Sequence, residues 1–295
     1  NARFMEEGIL KFGISSSFPN EYTSIVSSPF PWMEATYRYT EIENKLYGQF
    51  FYSGNQSLKD KGFDLKLRLM KESRLTPSLA LGLRDIGGTG LSSAEYLAIS
   101  KRFGRLDTTL GIGWGLLGSD GNIRNPFNSI HDSFSYRTSM LGQGGTFNFK
   151  DWFSGQAAFF AGLEYSFPKH GLSLKLEYDT TNPDVSFGGN LPLEVKSRVN
   201  LGLVYALGEW VELGLGYERG NQLRFSFFFK GNYGKKFLIE KMDKPLYVIP
   251  LNEEQRQRIS TDKDLFYRSL NLGLREERIY LQGASLEEDS VDVVI

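Results

Sequence analysis

Strict alternation of apolar and polar residues recurs along most of this sequence, and a chain with that pattern folds as strands whose two faces meet different surroundings. In the run from Phe63 to Leu69 the apolar set is Phe63, Leu65, Leu67 and Leu69, while Asp64, Lys66 and Arg68 fill the other face. Leu172, Leu174, Leu176 and Tyr178 alternate with Ser173, Lys175, Glu177 and Asp179. From Leu106 to Leu116 the apolar face opposes Asp107, Thr109, Gly111, Gly113 and Gly115. About twelve such runs can be delimited: Gly8 to Ser17, Phe30 to Thr40, Asn44 to Ser53, Gly62 to Lys71, Ser78 to Ile86, Ser92 to Phe103, Leu106 to Leu116, Trp152 to Phe167, Leu172 to Thr180, Val195 to Leu207, Val211 to Arg219 and Gln222 to Gly231. Most are nine to sixteen residues long, beyond the ~5–6 of soluble sheets and in the range of the ~9–11 that a tilted strand needs to cross a bilayer.

The connections fall into two sets. Segments 19–29, 54–61, 87–91, 117–151 and 181–194 are mostly long and polar, whereas the breaks near Glu41, Glu72 to Pro77, Gly104-Arg105, Pro168 to His170 and Gly208-Glu209 are short. Short turns at one end and long loops at the other are the habit of outer-membrane barrels. Residues 1–234 therefore read as an all-β, antiparallel transmembrane β-barrel of about twelve strands, its apolar faces toward lipid. Trp32, Tyr37, Tyr39, Tyr52, Tyr165, Tyr178, Tyr205 and Tyr217 supply the interfacial girdles. A large soluble β-sandwich would also alternate, but it does not account together for strand length, loop asymmetry and a charged second face.

Composition removes other classes. No run reaches the roughly 18 apolar residues of a membrane-spanning helix. With 34 Lys+Arg against 35 Asp+Glu there is no electrostatic footprint for nucleic acid. Zero Cys excludes disulfides, thiolate metal sites and Cys nucleophiles. The chain opens at Asn1 with neither an initiator Met nor an apolar leader, which suggests a mature form or a fragment.

Residues 235–295 change character and read as a small α/β segment in the periplasm. Asp262 is placed to cap a helix from Lys263 to Leu272, with Gly273 as its stop, and strands are expected at Glu277 to Gln282 and Ser290 to Ile295. Because the segment ends on a strand, its sheet is expected to be completed by chain beyond Ile295.

Met5-Glu-Glu-Gly8, Phe30-Pro-Trp-Met-Glu-Ala-Thr-Tyr-Arg-Tyr-Thr40, Lys61-Gly-Phe-Asp64, Leu81-Gly-Leu-Arg-Asp-Ile-Gly-Gly-Thr-Gly90, Ser93-Ala-Glu-Tyr96 and Ser100-Lys-Arg-Phe-Gly104 resemble the YjbH/GfcD-type outer-membrane proteins encoded with exopolysaccharide and capsule genes. The likeness is dense from about Phe4 to Gly118 and looser to about Gly231. It implies an outer-membrane lipoprotein barrel that assists polysaccharide secretion, with outer-membrane lipid, exopolysaccharide and other export proteins as partners. It supplies no catalytic residues to carry over.

If the apolar faces meet lipid, Glu34, Arg38, Asp64, Lys66, Arg68, Arg84, Lys175, Glu177, Arg198, Glu212, Glu218 and Arg224 point inward, with Tyr47, Trp210 and Phe228 as stacking surfaces among them. Two readings follow: a salt-bridge network that rigidifies the barrel, or a lumen that contacts glycan. Gly113 to Gly118 fits G-x-G-x-x-G, but Ser119-Asp-Gly-Asn122 opens a loop where a nucleotide site needs a helix. The lumen-facing glycines are instead expected to leave room for the long loop 118–145, folded over or into the mouth. His131-Asp132-Ser133 contains the residue types of a hydrolase, but adjacent residues rarely reach triad geometry. Asp120, Asp132, Asp179 and Asp184 read as solvated loop carboxylates rather than Ca²⁺ ligands. No enzyme activity, cofactor or metal is expected, and the alternative is an outer-membrane lipid or glycan hydrolase.

Overall fold

The computed structural model describes residues 1–138, 145, 149–182, 193–234, 252–276, 279–286 and 291–295. The chain divides into two compact units, Asn1–Ile239 and Glu240–Ile295. The first is a closed barrel of twelve antiparallel strands, each paired with the next in sequence. They are β1 (Ile9–Ser17), β2 (Asn20–Phe30), β3 (Met33–Leu46), β4 (Ser57–Met70), β5 (Ser78–Arg84), β6 (Ala94–Phe103), β7 (Leu106–Gly115), β8 (Ala157–Phe167), β9 (Leu172–Tyr178), β10 (Val199–Leu207), β11 (Val211–Glu218) and β12 (Gln222–Asn232). Strand β1 closes on β12 with Ile9 opposite Asn232 and Ser16 opposite Phe225. Closure leaves the barrel sheet without a free edge.

Alternation places the apolar set outside. Leu213, Leu215 and Tyr217 of β11 and Leu223, Phe225, Phe227 and Phe229 of β12 are exposed on the outer face, as expected of side chains whose partner is lipid. Tyr165 and Tyr205 lie toward the short-turn end of this face, Tyr178 and Tyr217 toward the long-loop end.

The first hairpins differ from the sequence reading. Segment 19–29, expected as a loop, is strand β2, and the break expected near Glu41 falls inside β3, where Glu41 pairs with Glu21 and Lys59. The run expected from Asn44 to Ser53 is the end of β3 followed by a loop with one helical turn, Phe50–Ser53, so Tyr52 stands in a loop and not in a girdle. Strand β2 is rich in Ser and Thr, carries Pro29, and its pairing with β3 is irregular between Ser27 and Phe30. Such a strand is held by ladder hydrogen bonds and weakly marked by apolar alternation. Strand β4 begins at Ser57, β8 at Ala157 and β10 at Val199, so the boundaries Gly62, Trp152 and Val195 are also corrected.

The second unit holds two helices, Glu253–Thr261 and Lys263–Glu276, and a two-stranded sheet of β13 (Gly283–Leu286) and β14 (Val291–Val294). Asn252 and Gln255 form a capping box at the first helix. Asp262 caps the second, accepting from the Leu265 amide at 3.1 Å. Gly273 does not stop that helix, which runs on to Glu276. A single internal glycine costs only ~1 kcal/mol relative to Ala, too little to end a capped helix. The first strand lies at Gly283–Leu286 rather than Glu277 to Gln282. The Tyr267 hydroxyl donates to the Ala284 carbonyl and ties helix to sheet.

Candidate functional site: the inner face of the barrel

Residues 1–6 run inside the barrel, along the inner faces of β3 to β7. Ala2 is 1% exposed and packs with Ala80 and Ala98, flanked by Phe4, Tyr96 and Phe160. Its amide donates to Ser100 Oγ and its carbonyl accepts from Ser78 Oγ, both at 2.9 Å. Arg3 makes a two-pronged bond to Asp107 at 2.7 and 2.8 Å and also pairs with Glu72. The Phe4 ring lies under both Lys66 Nζ and Arg68, each 4.4 Å from its centroid. Met5 donates its amide to Glu34 at 2.6 Å, and Glu34 accepts from Lys66 at 2.8 Å. Short side chains at Ala80 and Ala98 make room for the backbone, and charge-assisted bonds replace the water that it displaces.

The inner faces of β9 to β12 and β1 are arranged differently. Glu212 pairs with Lys11 and with Lys230, the latter at 2.8 Å. Arg224 pairs with Glu218 at 3.0 Å, and Lys175 with Glu164 at 3.4 Å. Lys11 sits 4.3 Å above the Phe228 ring. Between these pairs lies a cavity of about 300 Å³ floored by Gly202, Gly214 and Gly216. A second cavity of about 330 Å³ lies where Arg84, Tyr96 and Phe160 face Glu177.

Glycines mark the contrast. A Cβ built on Gly13, Gly82 or Gly111 would lie 2.0 to 2.2 Å from the ring of Phe228, Tyr96 or Phe160. These glycines exist because an aromatic ring covers them. At Gly162, Gly202 and Gly216 the first contact is 3.4 Å or more away.

At the long-loop end, Leu117 fills the space over Gly113, while Gly111 is covered by Phe160 of β8 and not by the loop. Ser119 and Asp120 stay at the mouth, bonded by Asn182 and Arg198, and from Asn125 the described loop packs on the outward register of β7. Phe127 and Phe153 pack on Trp114, which shares the outward register of Leu110 and Ile112 and is 1% exposed, and Phe134 packs on Phe127. The Asn125 side chain accepts from Trp114 Nε1 at 3.0 Å and donates to the carbonyls of Phe134, Phe153 and Gly155. Arg137 holds Glu95 by two bonds at 2.8 and 2.9 Å. Ile130 and Tyr136 are exposed, and much of 139–148 lies outside the described residues.

Loop 85–93 is a second knot. Asp85 has φ +54°, its carboxylate accepts from the Ser92 amide at 3.0 Å, and Asp60 accepts from Ser92 Oγ at 3.2 Å and from Thr89. Burial and the neighbouring Asp60 push the Asp85 carboxyl up to about 6. At the opposite end, Glu72 is held down to about 2 by the Arg102 amide and by Arg3.

Of the site residues expected from sequence, Glu34, Asp64, Lys66, Arg84, Lys175, Glu177, Glu212, Glu218 and Arg224 line these cavities. Arg38 is buried on the same face and bonds Asp64 at 3.3 Å, and Arg68 covers Phe4. Three placements are corrected. Tyr47 lies in the loop after β3, 61% exposed. Trp210 stands in the β10–β11 turn and stacks on outward-facing Phe229, so it belongs to the lipid side. Arg198 precedes β10 and joins two loops at the mouth, bonding Asp120 at 2.6 Å and the Thr181 carbonyl at 2.9 Å. Asp120 is thus paired rather than solvated. Asp179 accepts from the Thr181 amide at 2.9 Å, and Asp184 lies outside the described residues. His131 accepts from the Ser133 amide at 3.1 Å as the cap of a single helical turn, Asp132–Ser135. Arg3, Phe4 and Lys11 escaped the sequence reading. Lys11 is in the inward phase of β1 and could have been found; Arg3 and Phe4 precede any alternation.

Closure, outward apolar strands and a charged inner face define an outer-membrane-type β-barrel. The chain belongs to the YjbH family: the family model described as exopolysaccharide biosynthesis protein YbjH matches residues 1–295. The chain is 39% identical over 287 residues to a protein of Escherichia coli (strain K12) described as uncharacterized lipoprotein YjbH, matching 97% of this chain and 41% of that protein. The chain thus spans about two-fifths of that relative. Among solved structures it is similar to the KdgM porin, with TM-score 0.40 and 10% identity over 75% of this chain and 97% of that one. It is also similar to outer membrane phospholipase A from Escherichia coli, with TM-score 0.31 and 9% identity over 77% and 96% of the two chains.

Proposed function

We propose that the barrel sits in the bacterial outer membrane with its long loops outward and serves as a non-enzymatic accessory in exopolysaccharide or capsule secretion. Membership of an exopolysaccharide biosynthesis family supplies the process. The observation that carries the reading of this part of the molecule is the divided inner face, with one wall occupied by residues 1–6 and the other left open to water. In this reading the inner segment plugs the short-turn half of the lumen and the open wall meets glycan. Strand parity brings Asn232 back to the short-turn end, which supports a periplasmic second unit available to other export proteins. Removing the protein from a strain that secretes the polymer should lower surface polysaccharide, and resupplying it should restore the level. Unchanged polymer would contradict the reading.

A hydrolase reading would rest on Ser133 Oγ, 2.9 Å from His131 Nδ1, but that nitrogen also accepts from the Ser133 amide as the cap of the same exposed helical turn.

A further inference from the structure

Resting on that reading, we propose that the β8–β12 wall is a track for an uncharged, hydroxyl-rich stretch of glycan, defined by the open glycines Gly162, Gly202 and Gly216 and by the carboxylate of Glu177.

The first ground is the glycines. None of the three has a positive φ, and an added Cβ would meet nothing nearer than 3.4 Å. Neither backbone conformation nor packing requires glycine there, although glycine inside a strand weakens it. Gly202 pairs with Gly216 across β10 and β11, and Gly162 pairs with Glu177 across β8 and β9, so that β9, with Lys175 opposite Gly202, runs between them. The two openings flank Glu177, so another chain can lie close to the wall on either side of that carboxylate.

The second ground is Glu177. The other carboxylates around it on this wall have partners: Glu164 has Lys175, Glu212 has Lys11 and Lys230, Glu218 has Arg224, and Asp179 accepts from the Thr181 amide. Among the described residues Glu177 has no ion pair or hydrogen bond, and it borders both cavities. A carboxylate is an acceptor with about four lone-pair sites, suited to sugar hydroxyls. With the rest of the wall neutralised in pairs, no excess positive field selects a polyanion.

Residues 1–295 contain no Cys, and with any cysteine elsewhere in the full-length protein replaced by Ser a single introduced thiol reports on the track. In the full-length protein, purified in detergent, Gly216→Cys should react with a small water-soluble methanethiosulfonate reagent. Maltohexaose should slow that reaction severalfold, and Glu177→Gln should abolish most of the protection. A thiol that does not react, equal rates with and without maltohexaose, or stronger protection by an anionic hyaluronan hexasaccharide would each overturn the proposal. In cells, Gly202→Trp should cut surface polymer severalfold while Gly202→Ala does not. Wild-type secretion by Gly202→Trp, in a strain where removing the protein abolishes secretion, would sink the track and leave the accessory role standing; secretion unaffected by removal would sink the accessory role itself.

Discussion

The two walls of the lumen are made from the same alternating strands and are used in opposite ways. On β5 to β7 the inward positions are small, Ser78, Ala80, Ala98 and Ser100, and a peptide segment fills the space they leave. On β10 and β11 Gly202, Gly214 and Gly216 stand at inward positions, and an open cavity lies over them. Small residues alone do not decide which outcome follows. The occupied wall offers acceptors and donors, Glu34, Ser78 and Ser100, that satisfy a backbone removed from water, and Asp107 that takes the Arg3 guanidinium. On the open wall the charges other than Glu177 are engaged with groups of the barrel itself. Polar satisfaction, more than volume, separates a bound wall from a free one.

If the contrast is confined to the inside, the outer faces of both walls should respond alike. Leu67→Arg on β4 and Leu213→Arg on β11 should each cost ~2–4 kcal/mol, the cost of a charge near mid-bilayer on a barrel. A clear difference between them in folding titrations into lipid would break the symmetry claimed for the outside. Lys66→Ala should be tolerated better than Leu67→Arg, and equal tolerance in a heat-modifiability gel would reject the facing assignment.

Inside, the same substitution should separate the walls. Ala98→Phe overpacks the cluster around Ala2 and should cost about 1–3 kcal/mol, or expel the segment. Gly202→Phe, projecting into water, should change stability by less than about 0.5 kcal/mol. Urea midpoints of the two variants give the comparison directly.

Acid should act on the two ends of the barrel with opposite sign. Glu72 is held below its ordinary value, so its contribution is present above about 4.5 and is lost as pH falls toward 2. Asp85 is raised from 3.8 to about 6, so between those values the folded state holds a proton that the unfolded chain releases. Stability should fall as pH rises through that window and level off above it. Asp85→Asn should remove this slope and stabilise the barrel at pH 7 by up to about 3 kcal/mol. Glu72→Gln should instead flatten the acid limb, and unfolding midpoints between pH 3 and 8 would show either effect.

Alternation made the later strands legible, their ends to within a residue or two except at the starts of β8 and β10, because an apolar face against lipid and a charged face against water leave a strong period of two. It failed at β2, where Ser24, Ser27 and Ser28 leave little contrast between faces. It also failed at Trp210, whose parity pointed inward while the turn swung its ring onto Phe229. The inward charges were readable for the same reason as the strands. Their partners were not, since Arg3 with Asp107 and Lys11 with Glu212 join residues 104 and 201 positions apart. Nothing in the local pattern around Ala2 announces that it will be buried, because what buries it is the arrangement of distant strands.

The most direct test of the divided lumen is proximity inside the folded barrel. Ala2→Cys paired with Ala98→Cys should link through a short bis-maleimide in outer-membrane preparations of the full-length protein, whereas Ala2→Cys paired with Gly202→Cys should not. Linking of both pairs with equal efficiency, or of the second alone, would show that residues 1–6 do not lie along the β5 to β7 wall and would contradict the account.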